Sequence, residues 1–223
     1  MPGWPTGLGD GGQRPGDSAW AHVRGARGQG RARADRWLAG YFQRTLEIRG
    51  DRCGGVDEAL HCGFGSHNGV TIVFIAQTGQ RTTAAGFRTA TRLLTVAARL
   101  RLPVLTLIDT PGAAAAPADE AAGIGPALAE LFVAIASSPV PITSVVIGEG
   151  VSGGALALAA PTDLWIAQDG YLAVTAPETA ASILKLGADD VPEVARRLRL
   201  TPAELLSRGI VRGIIRPPGA SAG

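Results

Sequence analysis

The stretch Ile142-Thr143-Ser144-Val145-Val146-Ile147-Gly148-Glu149-Gly150-Val151-Ser152-Gly153-Gly154-Ala155-Leu156-Ala157 decides the fold. Ile142 to Ile147 is short, β-branched and largely apolar, as a strand buried on both faces should be. Glycines then let the backbone turn sharply, and small residues open a helix at once. A strand that runs straight into a helix is the repeating unit of an α/β domain.

Working outward, the same rhythm recurs. Upstream, Val104 to Ile108 reads as a strand after Pro103 and ends in Asp109-Thr110-Pro111-Gly112. Ile124, Leu128, Leu131 and Ile135 mark a helix between it and Ile142. Further upstream, Val70 to Ile75 is another continuously apolar strand, followed by the polar turn Gln77-Thr78-Gly79-Gln80. Phe87, Ala90, Leu93, Leu94, Ala97 and Ala98 then form one face of a helix whose other face carries Arg88, Arg92 and Arg99. Trp20, Val23 and Ala26, then Trp37, Leu38, Tyr41, Phe42 and Leu46, are spaced for earlier helical faces. Downstream, short strands are expected at Leu164 to Ala167 and Leu172 to Val174. Thr201-Pro202-Ala203-Glu204 reads as a capping box with proline at the first helical position, and Gly209 as that helix's left-handed stop. Alternating strands and helices imply parallel pairing with right-handed crossovers. One domain over residues 18–218 is expected, between disordered tails at 1–17 and 219–223.

The glycine-rich turn has a chemistry of its own. Amides in a helix's first turn lack internal acceptors and the helix dipole adds positive potential, so an oxyanion such as an enolate can be held there. The competing structural reading is that the glycines only allow tight packing of helix on sheet. A dinucleotide fingerprint is excluded, because the GxGxxG spacing is absent and no acidic residue ends a following strand. Gly150-Val151-Ser152-Gly153-Gly154 also satisfies GxSxG. In α/β-hydrolases, however, the histidine follows the serine, whereas His22, His61 and His67 all precede Ser152. A Ser–Lys pairing would have to use Lys185, the only lysine.

Composition narrows the setting. The 223 residues suffice for one core, and no apolar run approaches the roughly 20 residues of a membrane span. Met1-Pro2-Gly3-Trp4-Pro5 lacks the layout of a signal peptide, so a cytoplasmic setting is expected. Cys53 and Cys62 are expected as buried free thiols. With His61 and His67 they match no standard zinc spacing, so no metal is expected. The formal net charge of +2 conceals a cluster of arginines at 14, 24, 27, 31, 33, 36, 44, 49 and 52, read as a solvated tail and first helix. No aromatic spacing or binding module accompanies them, which argues against nucleic acid.

At this point Ser144 to Gly150 and Ser152 to Ala157 resemble the signature of the acetyl-CoA carboxylase carboxyltransferase α subunit. The likeness runs on through Leu107-Ile108-Asp109-Thr110-Pro111-Gly112-Ala113, Ala176-Pro177-Glu178, Ala181-Ser182-Ile183-Leu184 and Lys185. Trp20 with Val23, Arg49-Gly50-Asp51-Arg52 and the closing Leu205, Gly209, Ile210, Val211, Ile214, Ile215 and Pro217 also agree. More distantly, the chain is similar to the C-terminal half of propionyl-CoA-type carboxyltransferases, whose Glu and Gly after the DxPG loop fall on Glu120 and Gly123.

The resemblance implies a crotonase/ClpP-like α/β spiral of ββα units with flanking helices. It implies a hetero-oligomer in which a β-type carboxyltransferase subunit holds an acyl-CoA or acyl-carrier thioester, and a biotin carboxyl carrier protein delivers carboxybiotin. The α-like half would offer the urea oxygen of biotin the backbone amides of Gly154 and Ala155, with Gly153 allowing approach. Gly112, Ala113, Glu120, Gly123, Gly148, Gly150 and Ser152 would line the substrate side. Carboxybiotin would lose CO2, the biotin enolate would take the α-proton of the thioester, and the resulting carbanion would recapture CO2. No side-chain base is needed. Zinc would belong only to the partner subunit. The chain departs from the family where Ala114-Ala115-Ala116-Pro117 replaces Tyr-Pro-Gly, where Asp119-Glu120-Ala121-Ala122 dilutes an acidic, arginine-bearing stretch, and where the basic loop between Gly79 and Phe87 is shortened. These changes bear on acyl specificity. They leave open a decarboxylase or hydrolase of acyl thioesters, or a non-catalytic stabilising subunit, on the same fold.

Overall fold

A computed structural model describes residues 19–217; the expected tails and Arg14 lie outside the described residues. Helices α1 (Ala19–Arg27) and α2 (Ala34–Tyr41) precede strands β1 (Arg44–Glu47), β2 (Leu60–His67) and β3 (Val70–Gln77). Then come α3 (Ala84–Leu100), β4 (Val104–Thr110), α4 (Pro117–Ala121), α5 (Ile124–Ala136), β5 (Ile142–Val151) and the five-residue α6 (Ser152–Leu156). The chain continues through β6 (Leu164–Ala167), β7 (Tyr171–Ala173), α7 (Pro177–Ile183), α8 (Val191–Leu198), α9 (Pro202–Ser207) and β8 (Ile214–Ile215). The strands form one sheet in the order β1-β2-β3-β4-β5-β6-β8, with β7 joined to the end of β5. From β3 to β8 every pairing is parallel, as the alternation implies. The edge β1-β2-β3 is antiparallel, which the sequence does not announce.

The apolar strands are apolar because both of their faces are covered. Val73 and Ile75 of β3, Val104 and Ile108 of β4 and Val146 of β5 face α3 and α5, packing with Phe87, Leu93 and Leu131. The intervening Ile72, Phe74, Leu105, Leu107, Val145 and Ile147 meet Trp37, Leu38, Tyr41 and Phe42 at α2. Leu46, expected on that helical face, instead lies on β1. Helix α2 stops at Tyr41, Phe42 is extended, and Leu46 faces solvent. The Thr201–Glu204 capping box forms as expected, with the Thr201 amide donating to Glu204 Oε2 at 3.3 Å, and Gly209 takes a left-handed φ of 67°. Of the two thiols, Cys62 is buried, and burial pushes its pKa up. Cys53 is exposed, because it sits in the loop between β1 and β2 rather than on a strand. Cys53, His61, Cys62 and His67 do not converge: His61 turns to Glu47, and His67 stacks on Tyr41.

That loop is held by Asp51. Its Oδ1 accepts the amides of Cys53 and Gly55, and Oδ2 takes Arg88 of α3 at 2.7 Å. Burial would raise the Asp51 pKa, but the two amides and the guanidinium outweigh it and hold the carboxyl below its ordinary value. A depressed folded pKa means the contribution is full above the unfolded value of about 3.9 and is lost as pH falls through the folded value. Asp51→Asn is therefore expected to destabilise the protein at neutral pH, with the gap to the parent closing in acid. Urea unfolding at a series of pH values reads this directly, and a gap independent of pH would refute it.

Candidate functional site

The site begins with a misfit between two strands. Strands β4 and β5 run in step up to Ile108 opposite Val146, but Thr110 pairs with Gly150, so Gly148 and Glu149 are surplus in β5. At this bulge β5 also changes neighbours, from β6 at Ser144–Val146 to β7 at Glu149–Val151. The displaced Glu149 amide is taken up by Asp109 Oδ1 at 3.1 Å.

Asp109 is fully buried and its carboxylate is met by Arg31 and Arg33. Arg31 is itself only 3% exposed. Its guanidinium lies over Gly148, also reaches the Ile147 carbonyl, and occupies the space a Cβ at Gly148 would need. Next to it, Arg27 reaches Glu149 at 2.8 Å, Glu178 on α7 at 2.5 Å and the Tyr171 hydroxyl at 3.0 Å. Tyr171 in turn donates to Glu149 at 2.5 Å, and burial pushes its pKa well above the phenol range, so it stays a donor. The arginine cluster is thus not merely solvated. Three members, Arg27, Arg31 and Arg33, lock the N-terminal segment onto the ends of β4 and β5, while Arg24, Arg36, Arg44, Arg49 and Arg52 are exposed. A strand-end aspartate commonly caps the loop that follows it, but Asp109 does not cap the loop after β4. Thr110 does so, accepting the Gly112 amide and donating to the carbonyls of Gly112 and Gln80.

With the strand ends fixed, the β4 loop closes on α6. A Cβ built at Gly154 would stand 2.5 Å from Ala113 N and 2.8 Å from the Gly112 carbonyl carbon, both backbone atoms that cannot step aside. Gly112, at φ 128°, faces Ser152 Cβ and Arg81. The Gly154 carbonyl accepts from buried Gln77 at the end of β3, 2.9 Å away. No side chain caps α6, whose N-cap is Val151, so the amides of Ser152, Gly153 and Gly154 have neither an intrahelical acceptor nor a capping one. Gly112, Ala113, Ser152 and Gly154 therefore form one cluster, and Gly153 and Ala155 belong to the same helix. Gly150 packs against Tyr171 and Leu172 within the sheet. Glu120 is exposed on α4, and Gly123 is the left-handed residue that opens α5.

Ser152 has φ 65°, the strained conformation of a nucleophile elbow. The imidazoles are committed elsewhere: His22 to the Gly170 carbonyl, His61 to Glu47 and His67 to the Tyr41 carbonyl. None is a base for Ser152. A cleft of about 440 Å³ lies beside Arg33, Asp35, Glu58, His61 and Gly79, and no residue of α6 lines it. Gln77 and the three arginines were not singled out from sequence. A glutamine closing an otherwise apolar strand was the available signal for Gln77.

This sheet, with a glycine-bearing helix at the end of a parallel strand, is a mixed α/β fold that resembles crotonase-superfamily architecture. Transcarboxylase 12S, crystallised with methylmalonyl-coenzyme A and methylmalonic acid, superposes with a TM-score of 0.72 at 22% identity, covering 82% of this chain and 38% of that one. A single-chain, multi-domain long-chain acyl-CoA carboxylase also gives a TM-score of 0.72, at 20% identity over 88% of this chain and 22% of the other. The family model for acetyl co-enzyme A carboxylase carboxyltransferase-like proteins matches residues 17–223, and the chain belongs to that family, as an α-type member. The carboxyl transferase subunit alpha of Rubrobacter xylanophilus is 40% identical over 77% of this chain. The beta/alpha carboxyl transferase protein of Salinispora arenicola is 36% identical over 93% of it. The aligned part is 58% of the first relative's length and 39% of the second's. Among the described residues no helix is long and apolar enough to cross a membrane.

Proposed function

We propose that this chain is the α-type half of a biotin-dependent acyl-CoA carboxyltransferase, transferring a carboxyl group from carrier-borne carboxybiotin to an acyl-CoA such as acetyl-CoA. The observation that carries the reading is the approach of the Gly112–Ala113 backbone to Gly154, beside an uncapped helix start. Backbone amides left without a capping acceptor at a helix start are the kind of donor that suits the urea oxygen of biotin, which is the sense in which the residues present fit that group. Bound there, carboxybiotin supplies the activated carboxyl group. The chain's own part is to orient that urea through the amides of Gly154 and Ala155, with Gly153 allowing the approach, and to keep the turn rigid through Asp109 and Gln77. No side chain need move a proton in this reaction, and the three imidazoles are engaged elsewhere.

The thioester would be held by a β-type partner. The exposed apolar residues Val174, after β7, and Ile183, Leu184 and Leu186, at the end of α7, are surface that a partner subunit would naturally cover. Co-expression with a β-type subunit, followed by malonyl-CoA-dependent carboxylation of free biotin, tests the assignment. Turnover is expected only from the assembled pair. Decarboxylation or hydrolysis of malonyl-CoA without biotin would replace this reading with a thioester decarboxylase or hydrolase.

A further inference from the structure

Arg81 stands beside the Gly112–Ser152–Gly154 cluster and touches its scaffold through one hydrogen bond, to the Ala113 carbonyl. Its Nη1 donates to the Ala113 carbonyl at 3.2 Å and lies 3.5 Å from where a Gly112 Cβ would be; Ser152 Cβ is 3.4 Å from the same point. The side chain is exposed, and among the described residues no carboxylate pairs with it. Its backbone, by contrast, is pinned on both sides. The Gln80 carbonyl accepts from Thr110, and buried Thr82 bridges Ala113, accepts the Ala114 amide and bonds Gln77. A fixed stem thus carries a guanidinium with most of its donors unused, turned toward the loop that closes the site. That is how a carboxylate-recognising arginine is placed.

We infer that Arg81 is a further substrate-binding residue, holding the carboxylate in transit. The inference rests on the carboxyltransferase reading above. The carboxylate has two carriers in that reaction, the biotin donor and the carboxylated thioester, and the guanidinium recognises the group they share. Arg81 orients that group and lowers the concentration at which it is bound. Removing it should affect binding of carboxylated substrate more than the rate of the bound complex.

The test uses the full chain assembled with its β-type partner, as parent, Arg81→Ala and Arg81→Lys. Equilibrium titration with malonyl-CoA and with acetyl-CoA reports the thioester arm. The KM for carboxylated biotin carrier, at fixed acetyl-CoA, reports the donor arm. Arg81→Ala should weaken one or both carboxylated ligands about tenfold, the size of a charge-assisted hydrogen bond at a partly exposed site, and leave acetyl-CoA unchanged. Arg81→Lys should recover part of the loss. Equal weakening of acetyl-CoA and malonyl-CoA would overturn the inference by pointing to the coenzyme phosphates, and no change in either arm would overturn it outright. A parent assembly that binds malonyl-CoA in an Arg81-dependent way but transfers no carboxyl group to biotin would remove the carboxyltransferase reading and leave Arg81 a carboxylate ligand.

Discussion

Gly154→Val is expected to cut carboxyl transfer by at least about 100-fold, the loss seen when one donor of an oxyanion hole is disturbed. Any side chain at 154 meets Ala113 N and the Gly112 carbonyl carbon below van der Waals distance, so the loop after β4 must move off α6. The amides of Gly153 and Gly154 would then face an altered opening. The assay is biotin carboxylation from malonyl-CoA by the assembled subunits. Thermal unfolding and co-purification with the partner distinguish a displaced loop from a chain that no longer folds. A well-folded variant turning over at the parental rate would show that this helix start is not where the reaction occurs, and would leave the chain a stabilising subunit.

The second large effect is on stability. Asp109→Ala leaves Arg31, which is 3% exposed, without its carboxylate, and strips the Glu149 amide of its acceptor. Breaking a buried ion pair on one side costs about 3–5 kcal/mol, because the remaining charge stays desolvated. For a chain of this size that is a fall in Tm of roughly 10 °C. Urea and thermal unfolding both measure it, and a change within the range of ordinary surface substitutions would mean that water reaches Arg31.

The central strands were legible because β3, β4 and β5 are covered on both faces and so read as unbroken apolar runs. β1 and β2 were not. All four residues of β1 are exposed, and β2 carries glycines at 63 and 65, where a side chain would strike the Leu46 carbonyl or the Phe42 ring. Those close approaches erase the alternation by which a half-buried strand is recognised. The α6 turn was legible because its glycines are local to it. The arginine clamp was not, since Arg27 and Arg31 find their partners 122 and 78 residues further along the chain. Periodicity reports which face of an element is buried and says nothing of which distant charge will meet it. Arg81 was hidden for the same reason: only the fold brings it beside Gly112 and Ser152.

The clamp also orders events during synthesis. Arg31 lacks its carboxylate until Asp109 leaves the ribosome, and Arg27 waits for Glu149 and then Glu178. The segment carrying Arg27 and Arg31 thus seats only once the strands that follow it have assembled. Until that moment its charges remain hydrated, and the bulge that shapes the β5 turn is unsupported.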